Sequence, residues 1–326
     1  MITLFLHIYS KIFSVITNLN TRVYIARSYL FFFFFKLILV MIEFNLLEKV
    51  PEDCISTILS LTTPRDACRS SLVSSSFRLA ADSDVVWERF LPSNYQKIVS
   101  TTNPPLNFSS KKKLFFHLQE PLLIDGGTKS FWLDRSTGSL GYMQCARELW
   151  ISNAEDPLKW SWKFLPESRF GEVAELVSTS SLEIKGKIKA NTLSTKTTYI
   201  VNLIVKFTNY AYGLDSIPSE ISLEHRKNVS VGIAYLRNGD VGENKYWLER
   251  IYYSNRTEKL RARIIGGEER RVRERSDGWM EIELGEFVND GQCEEEEVIK
   301  VSLMEVKGEH LKGGIVIEGI EVRPKA

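Results

Sequence analysis

"TYIVNLIVKFTN", Thr198–Asn209, sets Tyr199, Val201, Leu203, Val205 and Phe207 at every second position. A period of two puts these side chains on one face of an extended chain, which predicts a strand with one buried side. Four later stretches behave alike: "SVGIAYL" (Ser230–Leu236), "WMEIELGEF" (Trp279–Phe287), "VIKVSLMEV" (Val298–Val306) and "GIVIEGIEVRP" (Gly314–Pro324). In the second of them Met280, Ile282 and Leu284 alternate with Glu281 and Glu283, one dry face and one wet one. Asn, Asp and Gly punctuate these runs, and no helical crossover pattern lies between them. The expectation for residues 129–326 is therefore an all-β antiparallel sandwich of two facing sheets.

Working back towards the N-terminus, the pattern changes. In "KVPEDCISTILSLTTPRDACRSSLVSSSFRLAADSDVVWERFLPSNY" (Lys49–Tyr95) Pro51 suits a first helical position, and Glu52 and Asp53 place negative charge in the first turn. Ile55, Ile58 and Leu59 follow at i, i+3, i+4. Thr63 is placed to cap a second helix, with Pro64 at its first position and Asp66 three residues after the cap. That helix offers Ala67, Leu72 and Val73, and a third, opening near Asp82 or Ser83, carries Trp87, Phe90 and Leu91. Three such short helices bury little, because small units have too much surface for their volume. Apolar surface is left over for a partner. Residues 96–128, with "TTNPP", the basic run Lys111–Lys113 and "DGG", read as a linker.

The remaining features exclude more than they assign. With 42 basic against 41 acidic residues and a net charge of +1, no global field draws the chain to nucleic acid or to anionic membranes. The cysteines Cys54, Cys68, Cys145 and Cys293 are far apart, with no CxxC pair and no adjacent histidine, so no metal or cofactor is expected and free thiols suit a reducing compartment, the cytoplasm and nucleus. The sequons at Asn107, Asn228 and Asn255 are read as unused. His7, His117, His225 and His310 are isolated, and no nucleophile elbow, zinc-protease, P-loop or dinucleotide motif occurs; the chain is expected not to be an enzyme. Between Arg256 and Arg275 eight basic residues are diluted by Glu258, Glu268, Glu269 and Glu274 without stacking aromatics, which argues against nucleic-acid binding. Residues 1–42 hold "SYLFFFFFKLILVMI" (Ser28–Ile42), cut by Lys36 and short of the about 20 apolar residues a spanning helix needs. Two readings stand: an extension upstream of a translation start at Met41, or a weak membrane anchor.

Phe44–Tyr95 resembles the F-box of plant F-box proteins, with Val50 standing where that pattern has leucine. The resemblance implies a three-helix all-α module spanning 43–95 that docks on a Skp-type adaptor and, through it, on a cullin-RING ubiquitin ligase. Carried over, the adaptor-facing residues are Pro51, Ile55, Ile58, Leu59, Leu72, Val73 and Trp87. Apolar helix faces set into a groove, with a Trp anchor, are a common mode of recognition.

Lys129–Pro324 resembles the phloem protein 2 domain, the lectin family typified by the tobacco agglutinin. "ARELWIS" (Ala146–Ser152), "WSWKFLPESRFGEVAELVSTSSLEIKGKI" (Trp160–Ile188), "LSTKTTYIVNLIVKF" (Leu193–Phe207), "RSDGWMEIELGEF" (Arg275–Phe287) and "GGIVIEGIEVRP" (Gly313–Pro324) carry the likeness. It implies a jelly-roll-like sandwich that recognises N-acetylglucosamine oligomers or mannose-containing N-glycan cores on client glycoproteins. Sugar sites need an aromatic face and a few fixed polar groups. In "LWISNAEDPLKWSWKF" (Leu149–Phe164) the candidates are Trp150, Trp160 and Trp162 with Asn153. Trp160 falls on a family sugar position; Asn153, seven residues earlier, replaces the other tryptophan and removes a stacking surface. Trp160 and Trp162 also share one strand face, which suits a core equally well. The chain is thus expected to be the substrate-recognition subunit of a Skp-cullin-F-box ligase. Its sandwich either binds a glycan or binds protein surface without sugar, and a free lectin outside any ligase is the third reading.

Overall fold

The structure is a computed structural model that describes residues 50–92, 95, 96, 99, 108–215, 217–236, 268–291, 297–307 and 310–325. The N-terminal stretch 1–42, the sequons at Asn107 and Asn255, Cys293 and the basic residues Arg256, Lys259, Arg261 and Arg263 lie outside them. Among the described residues no helix is long and apolar enough to cross a membrane.

Two compact units form: one from the residues up to Thr62 with Ala67–Val86, the other from Thr63–Asp66 with Trp87–Ala326. The helices are α1 (Glu52–Ser60), α2 (Pro64–Ser70), α3 (Ser75–Asp82), α4 (Asp84–Phe90) and α5 (Lys111–His117). Four helices therefore stand where three were expected. The extra break lies at Ser74, whose Oγ accepts the Phe77 N–H (3.3 Å) and caps α3. The cap at Thr63 forms as read: its Oγ1 accepts the Asp66 N–H (3.2 Å) while its hydroxyl donates to Asp66 Oδ2 (2.8 Å). In the first unit, α1 and α3 pack through buried Ile55, Leu59, Phe77, Ala80 and Ala81. The Ser56 hydroxyl donates to the Ala80 carbonyl (3.4 Å) between them.

The second unit is predominantly β. Its strands are β1 (Leu122–Ile124), β2 (Lys129–Leu133), β3 (Leu140–Cys145), β4 (Trp150–Ile151), β5 (Trp160–Phe164), β6 (Glu172–Leu176), β7 (Leu182–Lys189), β8 (Thr197–Tyr212), β9 (Ser219–His225), β10 (Asn228–Ala234), β11 (Glu268–Arg270), β12 (Arg273–Glu274), β13 (Met280–Asn289), β14 (Val298–Glu305) and β15 (Gly313–Pro324). The larger sheet runs β1-β2-β3-β15-β8-β13-β12, with β6 also on β15 and β5 on β6; the smaller runs β11-β10-β9-β14-β7-β4. All pairings are antiparallel except β10 with β11. The sheets face each other closely: a Cβ on Gly186 of the smaller sheet would run into Ile320 and Gln144 of the larger, and one on Gly285 would run into Leu223. The alternation read in β8 is the inward row, with Tyr199, Val201, Leu203 and Val205 fully buried.

The outer face of the larger sheet is covered as well. Met143, Val173, Ile204, Trp279 and Val316 form a second apolar layer, joined by Trp132, Leu165 and Phe170. Glu318 anchors the turn over it, where its carboxylate accepts the Arg169 N–H (2.6 Å) and the Ser168 hydroxyl (3.1 Å). Burial pushes the Glu318 carboxyl above its ordinary value.

Residues 96–128, expected as a linker, contain structure. Ser110 caps α5 by accepting the Lys113 N–H (3.3 Å), and Leu114, Phe115 and Leu118 are buried. The Leu118 carbonyl accepts the Leu133 N–H (2.7 Å), fastening α5 to β2. A Cβ at Gly138, in the β2–β3 turn, would press on the Phe90 carbonyl (3.2 Å) and lie in ordinary contact with the Phe115 ring (3.5 Å). Gly138 has φ +72°, so this tight turn demands glycine twice over.

Two expectations follow. Phe115→Ala should cost about 3–5 kcal/mol of stability by urea denaturation, since it removes a fully buried aromatic ring; a loss within experimental error would show that α5 is dispensable. For Glu318, whose folded pKa is raised, the stabilising proton is bound below the ordinary carboxyl value of 4.5 and is lost as pH rises through the higher folded value. Glu318→Gln keeps the acceptor oxygen, so relative to the parent it should gain stability between acid and neutral pH. An unchanged difference between the two proteins across that range would contradict the assignment.

Candidate functional site

The first candidate surface is on the helices. Of the residues expected to face an adaptor, Ile55 and Leu59 are buried within the first unit, Ile58 and Val73 are half-buried, and Pro51 and Leu72 are exposed. Trp87 must be corrected. Its ring is fully buried, 5.6 Å from Phe90, 5.1 Å from Phe115 and 5.4 Å from Phe116, so it offers no face to a partner. The sequence could not show this, because two of the rings that cover it, Phe115 and Phe116, belong to the supposed linker. Conversely, Leu79 and Val85 went unnoticed, yet they are 61% and 64% exposed, with Leu72 at 79%. A signal did exist: on α3, Leu79 sits opposite the stripe of Phe77, Ala80 and Ala81, where a large apolar residue has no core to enter.

The second candidate is the bend between β4 and β5. Both of its tryptophans on β5 turn inward onto the loop before them: Trp160 Nε1–H donates to the Ser152 carbonyl (3.0 Å), and Trp162 Nε1–H to the Ala154 carbonyl (3.2 Å). Trp160 is only 3% exposed. The expected stacking platform at Trp160 is therefore absent, because the alternation that aims a strand residue sideways does not say whether that side is covered. Trp162 is half-buried, and the Arg147 guanidinium lies over its ring at 3.5 Å. Glu172 fixes that guanidinium with two bonds (2.8 and 2.9 Å), and the arginine in turn holds the Glu172 carboxyl below the usual range.

Asn153 is exposed at φ +57°, and its carbonyl accepts the Asp156 N–H (3.0 Å). Asparagine tolerates this left-handed backbone better than tryptophan does, so the residue is explained by the turn. Asp156 is also spent on the loop: its Oδ1 accepts the Leu158 N–H (3.0 Å) and its main-chain carbonyl the Trp160 N–H (2.9 Å). Of the four sugar candidates, Trp150 alone presents a large open ring, at 54% exposure, with Lys185 Nζ 4.7 Å from its centroid. The structure thus brings Trp160, Trp162 and Asn153 together as a loop clamp and sets Trp150 apart on the edge of the smaller sheet. Among the described residues no cluster of ligating side chains could hold a metal ion.

Trp160→Phe keeps most of the buried ring but frees the Ser152 carbonyl. It should lower stability by about 1 kcal/mol and speed hydrogen exchange in residues 152–159; unaltered exchange there would show that the indole N–H does not hold the loop.

Comparison with known proteins agrees with this division. The F-box-like family matches residues 47–93 and the phloem protein 2 family residues 140–324. The Arabidopsis thaliana F-box protein VBF is 46% identical over 283 residues, covering 85% of this chain and 99% of that protein. F-box proteins PP2-B13 and PP2-B15 of the same plant are 45% and 44% identical, covering 84% and 85% of this chain and 98% and 96% of their own. Among solved structures, a Podospora anserina GH26-CBM35 beta-(1,4)-mannanase is similar over 57% of this chain and 28% of its own, at 8% identity and a TM-score of 0.28, so this chain spans under a third of that enzyme and the likeness is too slight to bear on function. With both domains in place and the relatives matched nearly end to end, the chain belongs to the F-box proteins that carry a phloem protein 2 domain.

Proposed function

We propose that this chain is the substrate receptor of a Skp-cullin-F-box ubiquitin ligase in the cytoplasm and nucleus, and that its sandwich selects clients by their protein surface. It contributes binding, and the ubiquitin-transfer chemistry resides in other subunits. The observation that carries the client half is the burial of Trp160, whose ring lies at 3% exposure with its N–H already bonded to Ser152. A buried, satisfied indole has no face left for a pyranose. The adaptor half is supported by Leu72, Leu79 and Val85, which leave apolar surface on helices too small to need it for their own core.

A second reading is favoured by Trp150. Its exposed ring and the neighbouring Lys185 suit one N-acetylglucosamine- or mannose-type residue of a client glycan.

Leu72→Asp with Leu79→Asp should abolish capture by a Skp-type adaptor while leaving the far-ultraviolet dichroism unchanged; full capture by the folded variant would overturn the docking assignment. On a glycan array the full-length chain should retain no N-acetylglucosamine or mannose structure. Selective retention that Trp150→Ala removes and Trp160→Phe spares would put the glycan reading first.

A further inference from the structure

The smaller sheet ends unevenly. Strand β14 pairs with β7 along its whole length, from Leu182–Glu305 to Lys189–Val298. On the other side, β4 matches only Ile151 with Ile184 and Trp150 with Lys185. The turn Ala146–Glu148 that feeds β4 packs beside β6 and β15, and Arg147 is held there by Trp162 and Glu172. From Gly186 to Lys189, β7 has no strand on its outer side among the described residues.

The polarity of that open edge can be worked out. Ser152 N–H donates to the Glu183 carbonyl (3.0 Å), so the odd-numbered residues of β7 direct their main-chain groups towards the β4 side. Lys187 therefore turns an N–H and a C=O to the open edge. At Lys189 the carbonyl is already taken by the Thr192 hydroxyl (2.7 Å), which closes that end. The side chains of Lys185, Lys187 and Lys189 share one face, and all are exposed. Lys185 is paired with Glu183 (2.6 Å), whereas Lys187 and Lys189 make no ion pair among the described residues. Next in line stands the open ring of Trp150.

From this arrangement we infer that the edge of β7 beyond β4 is a docking site for an extended, acidic segment of a client protein. The segment would add as a strand in line with β4, pair its main chain with that of Lys187, and set alternate carboxylates against Lys187 and Lys189. A free main-chain pair recognises another extended main chain, and a period of two puts carboxylates two residues apart on the face that carries the lysines. A second copy of this chain does not fit, because two such edges would oppose lysine to lysine. This deepens the protein-surface reading given above and rests on it.

The test titrates the full-length chain with labelled peptides of alternating glutamate and valine, and of alternating lysine and valine, following fluorescence anisotropy and exchange of the Lys187 amide. The acidic peptide should bind and the basic one should not. Binding should slow exchange at Lys187, and Lys187→Glu with Lys189→Glu should weaken it about tenfold, since each reversal turns an attractive cross-strand pair into a repulsive one. Equal binding by the folded double variant, or an unchanged Lys187 amide, would overturn the assignment. So would a single-stranded oligonucleotide that binds more tightly with the same lysine dependence, which would give the edge to nucleic acid. If the peptide fails while adaptor capture still depends on Leu72 and Leu79 and the glycan array stays empty, the edge site is lost and the receptor reading stands.

Discussion

The pairing of β8 with β15 holds the sandwich together. It runs from Tyr199–Pro324 to Tyr212–Gly313, and every other strand of the larger sheet attaches to one side of it or the other. Two register shifts, between Gly313 and Ile315 and between Ile317 and Gly319, bend β15 so that it can meet β6 at one end and β3 at the other. Gly319 is indispensable at the second shift, where a Cβ would collide with the Gln144 carbonyl. The same strand is buried on both faces over nearly all its length, because a second apolar layer seals the outside of the sheet. An outer layer of this kind is unusual for an antiparallel sheet, which commonly leaves one face wet.

That outer layer explains where the sequence misleads. In "WMEIELGEF" the glutamates were read as a wet face, yet Glu281 and Glu283 are buried and answered by arginines: Arg323 binds Glu281 (2.7 and 2.8 Å), and Arg270 binds Glu283 (2.8 Å). Period-two alternation therefore located the strands and the inner row correctly, since that row depends only on chain geometry. It could not say what covers the opposite side, which depends on residues far away in sequence. Trp160 is the same lesson at the candidate site. Its position on a strand was legible; its burial under the loop 152–159 was not.

The helical part shows the complementary limit. Caps and first-turn prolines were legible because they act within a few residues, as at Thr63 with Asp66. Helix α5 was missed because "KKKLFFH" looks like a basic linker until Leu114 and Phe115 find their partners. Without α5 the burial of Trp87 could not be anticipated either. The exposed Leu79 and Val85 were within reach of helix geometry alone, once α3 and α4 were separated at Ser83.

The Trp87–Phe115 contact bears on how such receptors can be recombined. A chimera that joins this F-box to a foreign client domain at the family boundary near residue 93 would sever the helix that roofs Trp87, leaving a large ring in water. A graft that carries Trp87 must therefore carry α5 with it, and a shorter one brings an aggregation hazard into the hybrid.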